Sequence, residues 1–444
     1  MPRSEPADPR DESTPLVVVS PITPVASATS LEDSDAVNSG VESVRSHRRL
    51  LWWLGPSSIG LFAMYGAVPQ LLLPLQLSEI DAVNKVANFA VVSTVAALLA
   101  MVAQPIAGII SDRTRSRFGK RAPLLVGGAL VGGLSLVALA LADSVLVLGI
   151  AYAAALTAYS FAQAPQSAIL PDRVPRSLRG TFAAVIGASA MVGNLGGTIL
   201  ASQLAGDIPT VYFLLAGVTV ILFVLFVAFN PDVSSKDEPK ARLDLASFFG
   251  AFWVDPRKHP DFAWAFVGRF ALYLAYYATA GFQLYVLQDY IGLGDDAVAL
   301  VPLLGLASLP AILLAIFISG RLSDRLGRRK PFVFASSVIV ALGLLVPLLS
   351  PTVPGMFVSA VLIAFGFGAF QAVDTALMSE VLPGASSYAK DMGVINLAIA
   401  LPTTFAPAVA GAIVLMFGYA GLFPIAAGIG LLGAFAVFAI KSVR

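Results

Sequence analysis

The chain has 444 residues, of which 57% are apolar and only 12% charged, with a mean hydropathy of +0.83 and a formal net charge of +1. A soluble domain carries about 25% charged residues; a chain this apolar has too little polar surface to cover a water-facing globule, so lipid is part of its solvent. The near-neutral charge argues against a nucleic-acid partner, and the absence of cysteine excludes disulfides, thiolate metal sites and cysteine nucleophiles.

Residues 1–50 are rich in Ser, Pro and acids and turn basic at Arg45, Arg48 and Arg49, which predicts a disordered N-terminal tail. No secretory signal is visible, so the first span itself acts as the insertion signal. A bilayer core about 30 Å thick needs about 20 apolar residues per helix. Such stretches recur at 51–77, 85–110, 122–141, 145–170, 181–205, 211–229, 262–287, 297–319, 332–349, 356–382, 393–417 and 421–440. They are continuously apolar rather than alternating, which disfavours a β-barrel. The fold class expected is therefore an all-α integral membrane protein of twelve transmembrane helices in two six-helix bundles.

Basic residues set the orientation. Of the 28 Lys and Arg, only Lys85 falls in a loop on the far side and only Arg269 inside a span. The others occupy the termini and every second loop, whereas the opposite loops carry acids such as Glu79, Asp81, Asp143, Asp207 and Asp289. The positive-inside rule then places both termini in the cytoplasm of a cell-membrane protein.

The two halves share a plan. Pro123 of "FGKRAP" and Pro331 of "LGRRKP" lie 208 positions apart, as do Gln163 and Gln371, and Tyr65 and Tyr273. This divides the chain into a tail (1–50), an N-terminal bundle (51–229), a linker (230–261), a C-terminal bundle (262–440) and a short end (441–444). Six spans per half give the halves the same orientation, with a cavity between them at mid-membrane.

Each half carries a charged turn between its second and third spans. The second copy runs through Gly320, Asp324, Arg325, Gly327 and Arg328; the first, four residues longer, through Gly108, Asp112, Arg113, Arg117, Gly119 and Arg121. The first Gly allows close helix packing, the Asp can bind a helix N-terminus or an Arg, and the later Gly permits a tight turn. These residues form a gating latch, although the same charges would also anchor the loop at the membrane surface.

This repeated G-x-x-x-D-R turn resembles the signature of the major facilitator superfamily. The longer copy "QPIAGIISDRTRSRFGKRAP", with "QAPQSAIL" and "MGVINLAIALP", is similar to the sucrose–proton symporters and the glycoside-transporting group. The resemblance implies a secondary transporter working by alternating access, proton-coupled and carrying a sugar or glycoside. One departure stands out: where that group has an acid and an Arg in the fourth span, this chain has Leu156 and Ser167. Substrate and coupling ion therefore do not follow from the resemblance.

In that superfamily the first and fourth helices of each half line the cavity. Polar stripes on these helices offer Tyr65, Tyr159, Gln163, Gln166, Tyr273, Tyr276, Gln283 and Gln371 as substrate-binding residues. Amides and aromatic rings suit a neutral, hydroxyl-rich ligand, and the same groups also serve ordinary interhelical packing. Two charges lie inside the bilayer, Arg269 about 9 Å and Asp374 about 12 Å from the same face at 1.5 Å per residue. Buried charges persist there when paired, so the two are expected to form an ion pair with a role in proton coupling. Their repeat partners, Leu61 and Gln166, lack such a pair.

Gly128 and Gly132, and Gly193 and Gly197, have the spacing of helix-packing sites. The only histidines, His47 and His259, lie outside the spans. The convergent set of titratable groups that an enzyme needs is missing, and neither cofactor nor metal is implied. The expected partners are a small-molecule substrate, H+ and the lipid bilayer, with the chain a monomer. A drug or metabolite exporter is the alternative, and a nutrient sensor on the same scaffold a further one.

Overall fold

A computed structural model describes residues 29–236, 257–380 and 388–440. Every regular element in them is helical. The described residues from 49 onward form one compact unit, and those before them belong to another. The backbone is already helical from Thr29, within the segment expected to be a disordered tail. The physical reason is local: between Pro24 and Pro56 no proline interrupts the chain, and Glu32, Asp33 and Asp35 favour a helix start. Residues 1–28, much of the linker and the last four residues lie outside the described set.

The membrane-crossing elements are α1 (His47–Ile80), α2 (Lys85–Arg113), α3 (Ala122–Ala140), α4 (Val145–Arg173), α5 (Arg179–Gln203), α6 (Ile208–Phe229), α7 (Pro260–Gly281 continued by Gln283–Tyr290), α8 (Ala297–Leu326), α9 (Lys330–Leu349) and α10 (Val353–Glu380). The last helical run, Tyr388–Ala436, is broken at Gly418, whose φ of 71° and ψ of 178° are not helical. That break separates α11 (388–417) from α12 (419–436). Ten described helices are long and apolar enough to span a bilayer, one of them a 43-residue merger across Gly418, and the two pieces of α7 meet at 53° as a broken span. Counted this way, the spans number twelve.

Local chemistry sets the ends. Pro123 and Pro331, the repeat's marker residues, sit in the first turns of α3 and α9, where a missing N–H costs nothing. Gly327 closes α8 in the left-handed conformation at φ 59°. Asp207 caps α6 by accepting from the Thr210 amide at 3.3 Å. Even spans bring α1, the linker and α12 to one surface, called here the termini face; the other is the far face.

Within the first half α4 packs on α2 and α3, and α3 on α6; in the second, α10 packs on α8 and α9, and α7 on the α11–α12 hairpin. The halves meet where α2 touches α11 and α5 touches α8. These two seams exchange under the repeat.

Small residues make the closest approaches, because in lipid packing rather than water exclusion holds helices together. A Cβ on Gly197 would overlap the Ala63 carbonyl of α1, and one on Gly66 the Asn194 carbonyl of α5. A Cβ on Gly128 would lie 2.8 Å from the Ala158 carbonyl of α4. Both glycine pairs singled out in the sequence therefore sit at crossings. Gly108 and Gly320 do not: a Cβ there would meet no neighbouring atom within 4 Å. The expectation that they let a helix approach is corrected, since the ends of α2 and α8 stand clear of neighbours at these positions.

Gly197→Leu should collapse the α1–α5 crossing and lower the melting temperature of the detergent-purified protein sharply, by 1–3 kcal/mol or more in stability. Gly196→Ala, where nothing lies within 4 Å, should leave it unchanged.

Candidate functional site

The expected stripe residues separate into two groups. Gln166 is buried and donates to Ser57 and Ser58 of α1 at 3.1 and 3.3 Å. Gln76 of α1 is likewise engaged, donating to the Leu139 carbonyl at 2.8 Å and accepting from Tyr212 at 3.1 Å. Tyr159 is fully buried, with its ring against Gly132 of α3. The expectation that Tyr159 lines the space between the halves is thus corrected: α4 turns it into its own bundle, where Gly132 leaves room for the ring. Gln166 holds α1 to α4 for a related reason, as an amide in hydrocarbon needs partners and α1 supplies two hydroxyls.

The second group is more open. Tyr65 of α1 donates to Gln163 of α4 at 3.2 Å, and both are half-buried. Gln70 donates to Asn194 of α5 at 3.2 Å; Gln70 was not among the expected residues, although a lone amide after Pro69 in an apolar run was its signal. On the second half, Tyr276 stacks on Phe367 of α10 with centroids 4.0 Å apart and planes 12° apart. Tyr273 meets the same Phe367 edge-on at 5.3 Å. Gln283 is half-buried just past the break in α7, and Gln371 is exposed.

Arg269 and Asp374 come together beneath this aromatic group. Arg269 Nε lies 3.2 Å from Asp374 Oδ2, with the two side chains 6% and 4% exposed. The guanidinium also sits 5.6 Å from the Tyr273 ring centre. Among the described residues its Nη1, though buried, has no acceptor. A buried guanidinium has five donors, so this one keeps a donor that no described residue takes up.

At the termini face Arg121 is the hub of the first charged turn. It bonds Asp112 at 2.7 Å and Asp172, at the end of α4, at 2.7 Å. Asp172 was not anticipated; its position before "RVP" at the end of the fourth span was the only clue. Gly119 takes φ 86°, as a tight turn requires, and lies against Asp232. Ser235 of the linker bonds the turn three times: its hydroxyl accepts from the Ser116 amide at 3.1 Å and donates to the Thr114 carbonyl at 3.0 Å, and its amide donates to the Ser116 carbonyl at 3.1 Å. Arg117 is exposed, as are Asp324, Arg325 and Arg328 in the second copy; Arg113 is half-buried.

The far face joins the halves through the one basic residue on that side. Lys85 of α2 bonds Asp289 of α7 at 2.8 Å, and Tyr419 donates to the other oxygen of Asp289 at 2.7 Å. Tyr285, 5.0 Å from the Lys85 ammonium, donates to the Pro74 carbonyl of α1 at 3.0 Å. Phe89 and Phe282 meet edge-on at 5.2 Å below. Asn84 leads the hydrogen bonds that hold the Asp81 carboxyl, in the loop just before Lys85, below the usual carboxylate range.

Removing one member of a buried ion pair strands the other, at a cost of about 3–5 kcal/mol, whereas replacing both with apolar residues is near neutral. Asp374→Leu alone should therefore lower the melting temperature strongly, and Arg269→Met with Asp374→Leu should recover most of it.

A family model described as MFS/sugar transport protein matches residues 61–443. No curated protein sequence matches the chain. Among solved structures, the nucleoside transporter NupG aligns with a TM-score of 0.68 at 18% identity, covering 89% of this chain and 100% of that one. A mutant of NupG gives 0.70 at 17%, covering 88% and 99%. A bacterial homologue of the human lysosomal transporter Spinster, crystallised inward-facing and unoccupied, gives 0.62 at 14%, covering 90% and 94%. At these identities the likeness is one of fold. With a family match over most of its length and the helices to carry it, this chain belongs to the MFS/sugar transport proteins and is a multi-pass membrane transporter of the major facilitator superfamily.

Proposed function

We propose that the chain is a secondary active transporter that moves a small, neutral, hydroxyl-rich solute by alternating access and couples it to protons through Asp374. The observation that carries this reading is the unused donor of Arg269 beside Asp374, under the Tyr273, Tyr276 and Phe367 rings. A hydroxyl or ring oxygen of a sugar fits the Arg269 donor, while the aromatic faces pack on its apolar side. Substrate and Asp374 then compete for one guanidinium. When Arg269 turns to the substrate, Asp374 is left buried without its counter-charge and takes up a proton, and when substrate leaves, the pair re-forms and the proton departs.

A nucleoside is a specific version of the same reading. It is a glycoside with a flat base, which the parallel Tyr276 and Phe367 rings favour, and the fold resembles that of a nucleoside transporter. The drug-exporter alternative would use the rings and leave the Arg269 donor idle.

In this reading the halves are joined at the far face, and the termini face lies on the cytoplasmic side. Lys85, Asp289, Tyr285 and Tyr419 form the closing clasp.

Two experiments test these assignments in vesicles. Labelled sugars and nucleosides should accumulate when a pH gradient is imposed, and Asp374→Asn should abolish that accumulation while leaving counterflow exchange intact; normal pH-driven uptake by this variant removes Asp374 from coupling. For the clasp, the lack of native cysteine makes Gln283→Cys a single reporter. Lys85→Glu should raise its labelling from the far side several-fold, and Lys85→Glu with Asp289→Lys should restore protection. Equal labelling in all three would mean that the pair does not hold the far face shut.

A further inference from the structure

The first charged turn is four residues longer than its repeat, and the ion pairs of Asp112, Arg121 and Asp172 do not use the extra length. A groove of about 1060 Å³ runs between α2 and α3 with α4 as its floor. Gly127, Gly149 and Ala154 hollow it out, and its lining is apolar apart from Thr157. Val91 and Leu99 of its α2 wall and Ile150 of its α4 floor are 63%, 51% and 63% exposed. Along α4 it extends from Val145 to Phe161, about 24 Å at 1.5 Å per residue, against a hydrocarbon core of about 30 Å. An apolar groove at that depth excludes water, which would find no hydrogen-bond partners there. Its occupant is hydrocarbon.

The turn at 114–121 joins α2 and α3 at the termini face and leads directly into Pro123 and Leu124, the end of the groove's α3 wall, whereas the lining on α2 stops at Leu99 and that on α4 at Phe161. It carries Arg117, exposed and stacked 4.6 Å over the exposed Phe118 ring, and Lys120. Arg121 is spoken for by Asp112 and Asp172, whereas neither Arg117 nor Lys120 has an acidic partner among the described residues. Two uncompensated cations and an aromatic ring thus stand at headgroup level by the α3 end of an acyl-sized channel, a combination that recognises anionic lipid.

We propose that the α2–α3–α4 groove is a binding site for an anionic phospholipid, with acyl chain in the groove and phosphate between Arg117 and Lys120. The site is distinct from the path between the halves and does not depend on what the transporter carries.

The test uses the full chain in detergent micelles doped with phosphatidylglycerol or phosphatidylcholine. Phosphatidylglycerol should raise the melting temperature at lower mole fraction than phosphatidylcholine. Arg117→Gln with Lys120→Gln, both at the water-facing turn, should need about 30-fold more phosphatidylglycerol for the same shift, the combined effect of two interfacial charges. Ala154→Phe, which fills the groove from an exposed position, should cut retention of either lipid in native mass spectrometry. If the wild type responds alike to both lipids, or the double Gln variant responds like wild type, the headgroup site is wrong. Unchanged retention in Ala154→Phe places the acyl chains elsewhere.

Discussion

In hydrocarbon, one apolar helix gains nothing by hiding from solvent against another, so association rests on close backbone approach and on polar groups that must find partners inside the protein. The rest of this structure depends on that constraint. Glycines at 66, 193 and 197 bring α1 and α5 together until carbonyls and Cα atoms touch. Amides do the remaining fastening: Gln166 to the serines of α1, Gln76 to α3 and α6, Gln70 to α5. A transporter must also keep some seams loose, and none of these amide bonds crosses from one half to the other.

The same constraint explains how charge is distributed. At the termini face, Arg121 and its two acids bind α2, α3 and α4 into one unit, and Ser235 ties the start of the linker to it. All of these contacts lie within one half, so they stiffen a rigid body and leave the other free to move. At the far face Lys85 and Asp289 reach across the halves, and their side chains are 18% and 33% exposed. A partly hydrated pair holds weakly and breaks at modest cost. The Arg269–Asp374 pair is of a third kind, buried deeply enough that losing one partner is expensive.

The spans, their number and the duplication were legible because hydrophobic length and the 208-residue offset are properties of the chain itself. Arg269 and Asp374 could be matched by depth, since rise per residue converts sequence position to height in a bilayer. What depth does not give is azimuth. Tyr159 and Gln163 differ by one helical turn, yet one is sealed against Gly132 and the other meets Tyr65, because spacing along one helix does not say which neighbour each position meets. Nor does charge counting give partners: Lys85 stood out as an exception to a rule, and only the fold shows Asp289 opposite it. Gly108 and Gly320 are a reminder that a small residue in a familiar pattern need not mark a tight crossing.

Two of the helices contain a π-turn, Val68–Leu72 in α1 and Val286–Tyr290 in α7. A π-turn carries one residue more than the α-helical turns flanking it. Rewinding it to α-helix would lengthen the segment by about 1.5 Å and rotate everything beyond it by about 100°. Beyond the first turn lies Pro74, whose carbonyl receives Tyr285, and within the second lies Asp289, which holds Lys85. The Tyr285–Pro74 and Lys85–Asp289 contacts thus sit on or just beyond segments with one residue of slack, where a local rewinding would shift a contact without a tilt of either bundle.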